Sequence, residues 1–442
     1  MTGWRTARAW RRDGARGPAL WRAASLAVVG AVLWTCAVLP APAALAAGTG
    51  SAYDHADGAR RVDGAGSAAD AELLEPGTTY RSSLSADGTV HYRLDLDDVS
   101  STYVSATAVP PPDGTIASVD GIEVTVRDAE GHSCSASTAR IGAARSPHPI
   151  AAWGMREVSP GRPLCQEAGS YDVSVRRVAP ADTSPDTWDL ELTVASEPRP
   201  AKPGATSPPG AWDSASPEPA GGRAVRRSGG AGFATAASVG QGVWRADIAP
   251  GGTLFYRVPV DWGQQLSATA ELGSADGGGG FAEGALDLSL YNPARGQVQN
   301  TVVGYDGTGA AATLAPLPPV AYANRRAATE QANTVRFAGS YYLVVHLAEG
   351  VAGSFGEGPF ALTLRVRVRG AAQAGPDYAG ESAPRGLFEV TEQDREAAVE
   401  GTAADDDLAM TVLAAGGIGT GTLLLVGLGV WTAVERRRAD VP

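Results

Sequence analysis

Five histidines, His55, His91, His132, His148 and His346, are the residues of this 442-residue chain best suited to proton transfer or metal ligation. None stands in an H-E-x-x-H or H-x-H arrangement, the spacings that aim two imidazoles at one zinc ion. The chain has no G-x-S-x-G elbow, and no phosphate loop ending in Gly-Lys-Ser/Thr; its one lysine is Lys202. A Ser-His-Asp set assembles in space and leaves no fixed trace in sequence. Without a flanking signature, the expectation is a non-enzyme with no cofactor and no catalytic residue. Asp95-Leu96-Asp97-Asp98 is the densest acidic cluster. It reads either as oxygen ligands for calcium or as a solvated strand end. Trp153, Trp212 and Trp262 are expected in loops or linker, where an exposed indole can stack on a sugar ring. Trp153 and Trp262 are therefore the candidate ligand contacts.

Two terminal segments determine where these residues would reside. Residues 1–22 carry Arg5, Arg8, Arg11, Arg12, Arg16 and Arg22, followed by an apolar run from Ala23 to Val38 and by Ala44-Leu45-Ala46. That order is the pattern of a secretory signal peptide over 1–46. Asp13-Gly14 after Arg11-Arg12 departs from a twin-arginine signal, and Leu33-Trp34-Thr35 before Cys36 departs from a lipoprotein site. At the other end, Leu408–Val434 has no charged residue and is long enough to cross a bilayer as a helix. Asp405-Asp406-Asp407 precede it and Arg436-Arg437-Arg438 follow it, so the 435–442 tail is expected in the cytoplasm. No Leu-Pro-x-Thr-Gly pentapeptide precedes the span, which argues for a retained anchor instead of a sortase signal. Gly417 and Gly421 form a G-x-x-x-G pair within it. The expected topology is a single-pass type I membrane protein with the bulk of the chain outside.

The exterior contains one unit written twice. Gly88-Thr89-Val90-His91-Tyr92-Arg93 matches Gly252-Thr253-Leu254-Phe255-Tyr256-Arg257, and Ser105-Ala106-Thr107-Ala108 matches Ser267-Ala268-Thr269-Ala270. Ile122-Glu123-Val124-Thr125-Val126 matches Leu286-Asp287-Leu288-Ser289-Leu290. Gly169-Ser170-Tyr171 matches Gly339-Ser340-Tyr341, and Trp188-Asp189-Leu190-Glu191-Leu192 matches Phe360-Ala361-Leu362-Thr363-Leu364. These blocks alternate apolar and polar residues with period two, predicting strands with one face on a core and one in water. Clusters such as Ala86-Asp87-Gly88 and Pro250-Gly251-Gly252 supply turns. The fold class is therefore all-β, as two tandem antiparallel jelly-roll-like β-sandwiches, over 47–197 and 231–370.

Residues 198–230 are rich in Pro, Gly and Ser and read as a semi-extended linker. Residues 371–407 read as a juxtamembrane connector with a short helix near Glu389–Glu396. Cys134 and Cys165 both fall in the first repeat, beside strands, without C-x-x-C spacing. In an exported chain they are expected to form a disulfide. Arg-rich composition, with 48 acidic against 36 basic residues and a net charge of -12, argues against nucleic acid as the main partner. The arginines of the signal and tail are topology determinants, so the exterior is more acidic than the whole.

The paired motifs Gly88-Thr89-Val90-His91-Tyr92-Arg93-Leu94 with Gly169-Ser170-Tyr171, and Gly252-Thr253-Leu254-Phe255-Tyr256-Arg257-Val258 with Gly339-Ser340-Tyr341, resemble the bacterial pre-peptidase C-terminal domain. The resemblance covers about 250 residues as two copies, and the whole arrangement is similar to uncharacterised actinobacterial envelope proteins. It implies jelly-roll sandwiches, usually attached to secreted peptidases, that contact substrate or polysaccharide. This chain departs in carrying no peptidase domain. The functional expectation is a non-catalytic binding or scaffolding protein of the cell envelope. The partner is a cell-wall glycan or an envelope protein, the second as part of a membrane or secretion complex. Nothing in the sequence sets the oligomeric state.

Overall fold

The structure, a computed structural model, describes residues 52–159, 162–179, 185–202 and 207–400. The predicted signal peptide, membrane span and cytoplasmic tail lie outside the described residues. Among the described residues, no helix is long and apolar enough to cross a membrane.

The first repeat folds into β1 (Arg60–Arg61), β2 (Glu72–Leu73), β3 (Thr79–Leu84), β4 (Thr89–Leu96) and β5 (Ser101–Val109). It continues with β6 (Gly121–Arg127), β7 (Ser133–Arg140), β8 (Ile150–Arg156), β9 (Gly169–Val178) and β10 (Trp188–Glu197). The second repeat folds into β11 (Val225–Arg226), β12 (Ala237–Ser238), β13 (Gly242–Ile248), β14 (Thr253–Val260) and β15 (Gln265–Leu272). It ends with β16 (Ala282–Tyr291), β17 (Gln297–Tyr305), β18 (Ala310–Thr313), β19 (Gly339–Leu347) and β20 (Phe360–Arg369). Three short helices, α1 (Glu330–Thr334), α2 (Gly350–Phe355) and α3 (Glu392–Glu400), decorate the second half.

Strand orders β1-β3-β10-β5-β8 and β2-β4-β9-β6-β7 recur ten strands later as β11-β13-β20-β15-β18 and β12-β14-β19-β16-β17. The repeat seen in the sequence is thus a repeat of topology, strand for strand. In each copy the two sheets close on a core. Tyr92, Val124, Val175, Trp188 and Leu190 fill the first, and Tyr256, Leu288, Tyr341, Leu343 and Leu364 fill the second. These are the inward positions of the alternating strands, as period two requires. Cys134 and Cys165 are bonded, with Cα atoms 5.7 Å apart across a sequence separation of 31.

The outward positions diverge between the copies. On sheet β2-β4-β9-β6-β7 they meet solvent, with Arg176 Nη2 2.7 Å from Glu123 Oε2 and His91 Nδ1 2.9 Å from Asp172 Oδ1. The matching sheet β12-β14-β19-β16-β17 instead carries Phe255, Tyr291 and Val344 outward, packed with Phe233, Ala236 and Ala151 of β8. A second cluster joins Tyr103, Trp153 and Ala195 of the first sandwich to Ala294, Phe337 and Phe388. The outer face of β1-β3-β10-β5-β8 therefore lies on the outer face of β12-β14-β19-β16-β17. The result is four stacked sheets.

This docking corrects the expectation that Asp287 and Ser289 face water: they are 5% and 8% exposed, beneath the first sandwich. Two glycines allow the close approach. Gly284, at a φ of 60° in an irregular stretch of β16, leaves no room for a Cβ against the Ala143 carbonyl. A Cβ on Gly296 would stand 2.5 Å from the Trp153 indole.

The two connectors also dock. Arg365 Nη1 donates to the Ala220 carbonyl at 2.9 Å, and Gln265 Nε2 to the Asp213 carbonyl at 3.1 Å, so the Pro-rich segment lies along the outer sheet of the second sandwich. Residues 371–400 run back across both sandwiches. Gln373 N donates to Trp262 O, Ala383 pairs with Ser196, Phe388 is buried between the domains, and Ala398 O accepts from Gly240 N.

Candidate functional site

Carboxylates of the first sandwich meet guanidinium groups of the second across the docked faces. Glu191 of β10 is fully buried and pairs with Arg295. It also accepts from Tyr53 Oη at 3.0 Å and Ala56 N at 2.8 Å, and lies 3.6 Å from His55 Nδ1. Glu197 at the end of β10 accepts from Arg325 Nη2, Tyr103 Oη and Tyr378 Oη, each at 2.8 Å. Glu157 stands 3.3 Å from Arg336 and 3.8 Å from Arg325. Burial acts to raise the Glu191 carboxyl, but His55, the Arg295 guanidinium and the Ala56 N–H outweigh it and bring the pKa down to about 2. Buried ion pairs of this kind fix register between two surfaces more than they add net stability.

Beside this network, between the sandwiches, lies a cavity of about 440 Å³. Its floor is the outer face of β19, β16 and β17, where His346 pairs with Asp287 in register, and Thr253 of the neighbouring β14 pairs with His346. His346 Nδ1 is 3.0 Å from Thr253 Oγ1, and its Nε2 is buried with no hydrogen-bond partner. Asp287 accepts from Asn300 Nδ2 at 2.8 and 2.7 Å and from Ser289 Oγ at 3.0 Å. From the first sandwich, the loop after β7 carries His148 across the gap, and its ring stacks on His346 with centroids 4.4 Å apart. His148 Nδ1 donates to the Ser146 carbonyl at 2.8 Å, which leaves its Nε2 as an acceptor. Burial lowers the pKa of both imidazoles and raises that of Asp287, while Asp287 and His148 oppose those directions in each other. His148 also walls a second cavity of about 480 Å³, lined by Tyr53, His55 and Pro110-Pro111-Pro112.

The residues singled out from sequence fall elsewhere. Trp153, expected in a loop, stands in β8, 3% exposed, and stacks on Tyr103 with centroids 5.6 Å apart. Its strand is buried on both faces because the second sandwich covers it. Trp262, in the turn before β15, is 8% exposed beneath residues 373–375 of the returning connector. Neither indole offers a free stacking face. Asp97 caps its own turn, accepting from Val99 N at 3.0 Å and Ser100 N at 2.7 Å. Among the described residues, one group of His, Cys, Asp or Glu brings three ligand atoms together: Asp128, Glu130 and His132 at the exposed β6–β7 turn.

No family model matches the chain, and no curated protein matches it. Solved structures give weak likenesses. Tripeptidyl peptidase 2 is 8% identical with a TM-score of 0.23, covering 74% of this chain, which spans 28% of the peptidase. The CUB1-EGF-CUB2 region of human MASP-1/3 is 9% identical with a TM-score of 0.17, covering 65% of this chain and 99% of that one. The tandem CBM22 region of Xyn10C from Paenibacillus barcinonensis is 8% identical with a TM-score of 0.18, covering 65% and 82%. At such TM-scores these likenesses carry no argument about function.

The His148–Asp287–His346 cluster escaped the sequence reading because its members come from two repeats. A signal was present nonetheless. Gly339–Leu347 (GSYYLVVHL) runs nearly unbroken in apolar residues where its counterpart Gly169–Val178 (GSYDVSVRRV) alternates. An unbroken apolar strand is one buried on both faces.

Proposed function

We propose that this chain is a non-catalytic binding or scaffolding protein of a bacterial envelope. It would be held by one C-terminal span and display two jelly-roll sandwiches of pre-peptidase C-terminal type. The observation that carries this reading is the docking of the sandwiches through buried acid–arginine pairs, Glu191–Arg295, Glu197–Arg325 and Glu157–Arg336. Such a joint suits a fixed binding surface, since each broken pair would strand a buried charge.

The test is retention of isolated wall glycan and of crosslinked envelope proteins by the full chain, alongside assays for hydrolysis. Retention of one such component without turnover is expected. A hydrolytic activity that persists through purification and is abolished by His346→Gln would overturn the reading.

A further inference from the structure

We propose that the cavity between the sandwiches is a binding site for the primary ammonium group of a small molecule, held by Asp287, His148 and His346. This deepens the binding reading above and rests on it. The cavity is of a size that takes a monosaccharide or an amino acid, and among the described residues Asp287 is the one carboxylate lining it. Asp287 is a buried carboxylate whose hydrogen-bonding partners, Asn300 and Ser289, are neutral. His148 spends its one neutral-state N–H on the Ser146 carbonyl and keeps Nε2 as an acceptor. The decisive group is His346, 1% exposed and lining the cavity, whose Nε2 has no partner at all. A buried polar atom left unpaired is costly, so an atom of this kind facing a cavity marks a place for a ligand group. An ammonium ion carries three N–H donors and no acceptor, which suits the Asp287 carboxylate beside the imidazoles, with His346 Nε2 accepting when Nδ1 carries the proton and donates to Thr253 Oγ1.

The same sheet position in the first sandwich holds the surface pair Glu123–Arg176, where arginine supplies the cation. In the second sandwich His346 replaces that arginine and Asp287 replaces the glutamate. The carboxylate is kept and its built-in cation is removed. A metal ion fits less well, because it needs donor atoms gathered about 2.0–2.2 Å from one point. Among the described residues the group with gathered donor atoms is at Asp128, Glu130 and His132 instead. An anion would meet Asp287 directly. Arg140, the one cationic side chain lining the cavity, is exposed at the end of β7, where water screens it. Burial raises the Asp287 pKa and lowers those of the imidazoles, and a cation beside them would reinforce this imidazole neutrality while restoring the ionised carboxylate.

The experiment is a titration of the full chain labelled at histidine Cε1, whose five histidines give five resolvable ring signals. Three probes are used: glucosamine, N-acetylglucosamine and zinc chloride. Glucosamine is expected to shift the His148 and His346 signals saturably at pH 7.5 and to raise the melting temperature, with N-acetylglucosamine inert. Asp287→Asn is expected to weaken glucosamine binding by about 10- to 100-fold, the usual worth of a hydrogen bond to a charged group. His148→Gln, a substitution in a loop, is expected to weaken it with the melting curve unchanged. Equal binding of both sugars would overturn the ammonium assignment in favour of a neutral polyol. Saturable binding of zinc at His148 and His346 would overturn it in favour of a metal. No shift with any probe would overturn the site altogether. Retention of wall glycan or envelope proteins in that last case would show that the broader binding reading stands without this cavity.

Discussion

Glu191 offers the sharpest quantitative handle on how the two sandwiches hold together. Its carboxyl is fully buried and its pKa falls from an ordinary 4.5 to about 2. Because the folded value is depressed, the stabilising effect is fully present above about pH 4.5 and is lost as the pH falls toward 2. The gap of about 2.5 pH units corresponds to about 3 kcal/mol. Glu191→Gln removes that contribution at neutral pH and leaves the Arg295 guanidinium buried without its partner. The expected cost is about 3–5 kcal/mol at pH 7. Urea unfolding of the full chain at pH 7, 4.5 and 2.5 measures both effects. Wild type is expected to lose about 3 kcal/mol more than Glu191→Gln between the upper and lower pH. At pH 7 the variant is expected to unfold in two steps where wild type unfolds in one, because each sandwich has its own core. Identical pH profiles for the two proteins, or a neutral-pH cost under about 1 kcal/mol, would refute the reasoning, since such values belong to exposed pairs.

Three further outcomes follow from the packing. Gly296→Ala places a Cβ 2.5 Å from the Trp153 indole and is expected to destabilise the docked form by about 1–3 kcal/mol, read as an earlier first step in the same urea curves. Cys134→Ser with Cys165→Ser opens a loop with a sequence separation of 31 and is expected to cost about 3–4 kcal/mol, read as a shift of the single unfolding step to lower urea. Burial lowers the pKa of His346, so its stabilising effect is present above the ordinary histidine range and is lost as the pH falls through and below it. The melting temperature is therefore expected to drop between pH 7 and 5, and His346→Gln is expected to flatten that drop.

Much of the fold was legible because the repeat and its period-two alternation are local. Ile122-Glu123-Val124-Thr125-Val126 and Leu286-Asp287-Leu288-Ser289-Leu290 each declare a strand and an inward face, and both became core strands of equivalent sheets. The disulfide was legible from the expected export and from the place of both cysteines beside strands of one repeat. The docked faces were not, because alternation distinguishes inward from outward but not water from another domain. Glu191 reads as solvent-facing in the same way as Asp189, yet the Arg295 guanidinium paired with it lies more than a hundred residues away. Trp153 was misplaced for the same reason. Its strand, IAAWGMR, lacks alternation because it is covered on both sides. The connectors read as spacers from composition, since main-chain contacts such as Ser196 with Ala383 leave no mark on residue type.

The claim on which the rest depends is that the two sandwiches form one rigid block. Double electron–electron resonance on the full chain, in a Cys36→Ser background, tests it directly with labels at the exposed positions Asp87→Cys and Glu357→Cys. One narrow distance distribution is expected, broadened when Arg295→Met removes the cation facing Glu191. A broad distribution in the unaltered interface, insensitive to that substitution, would contradict the docked arrangement.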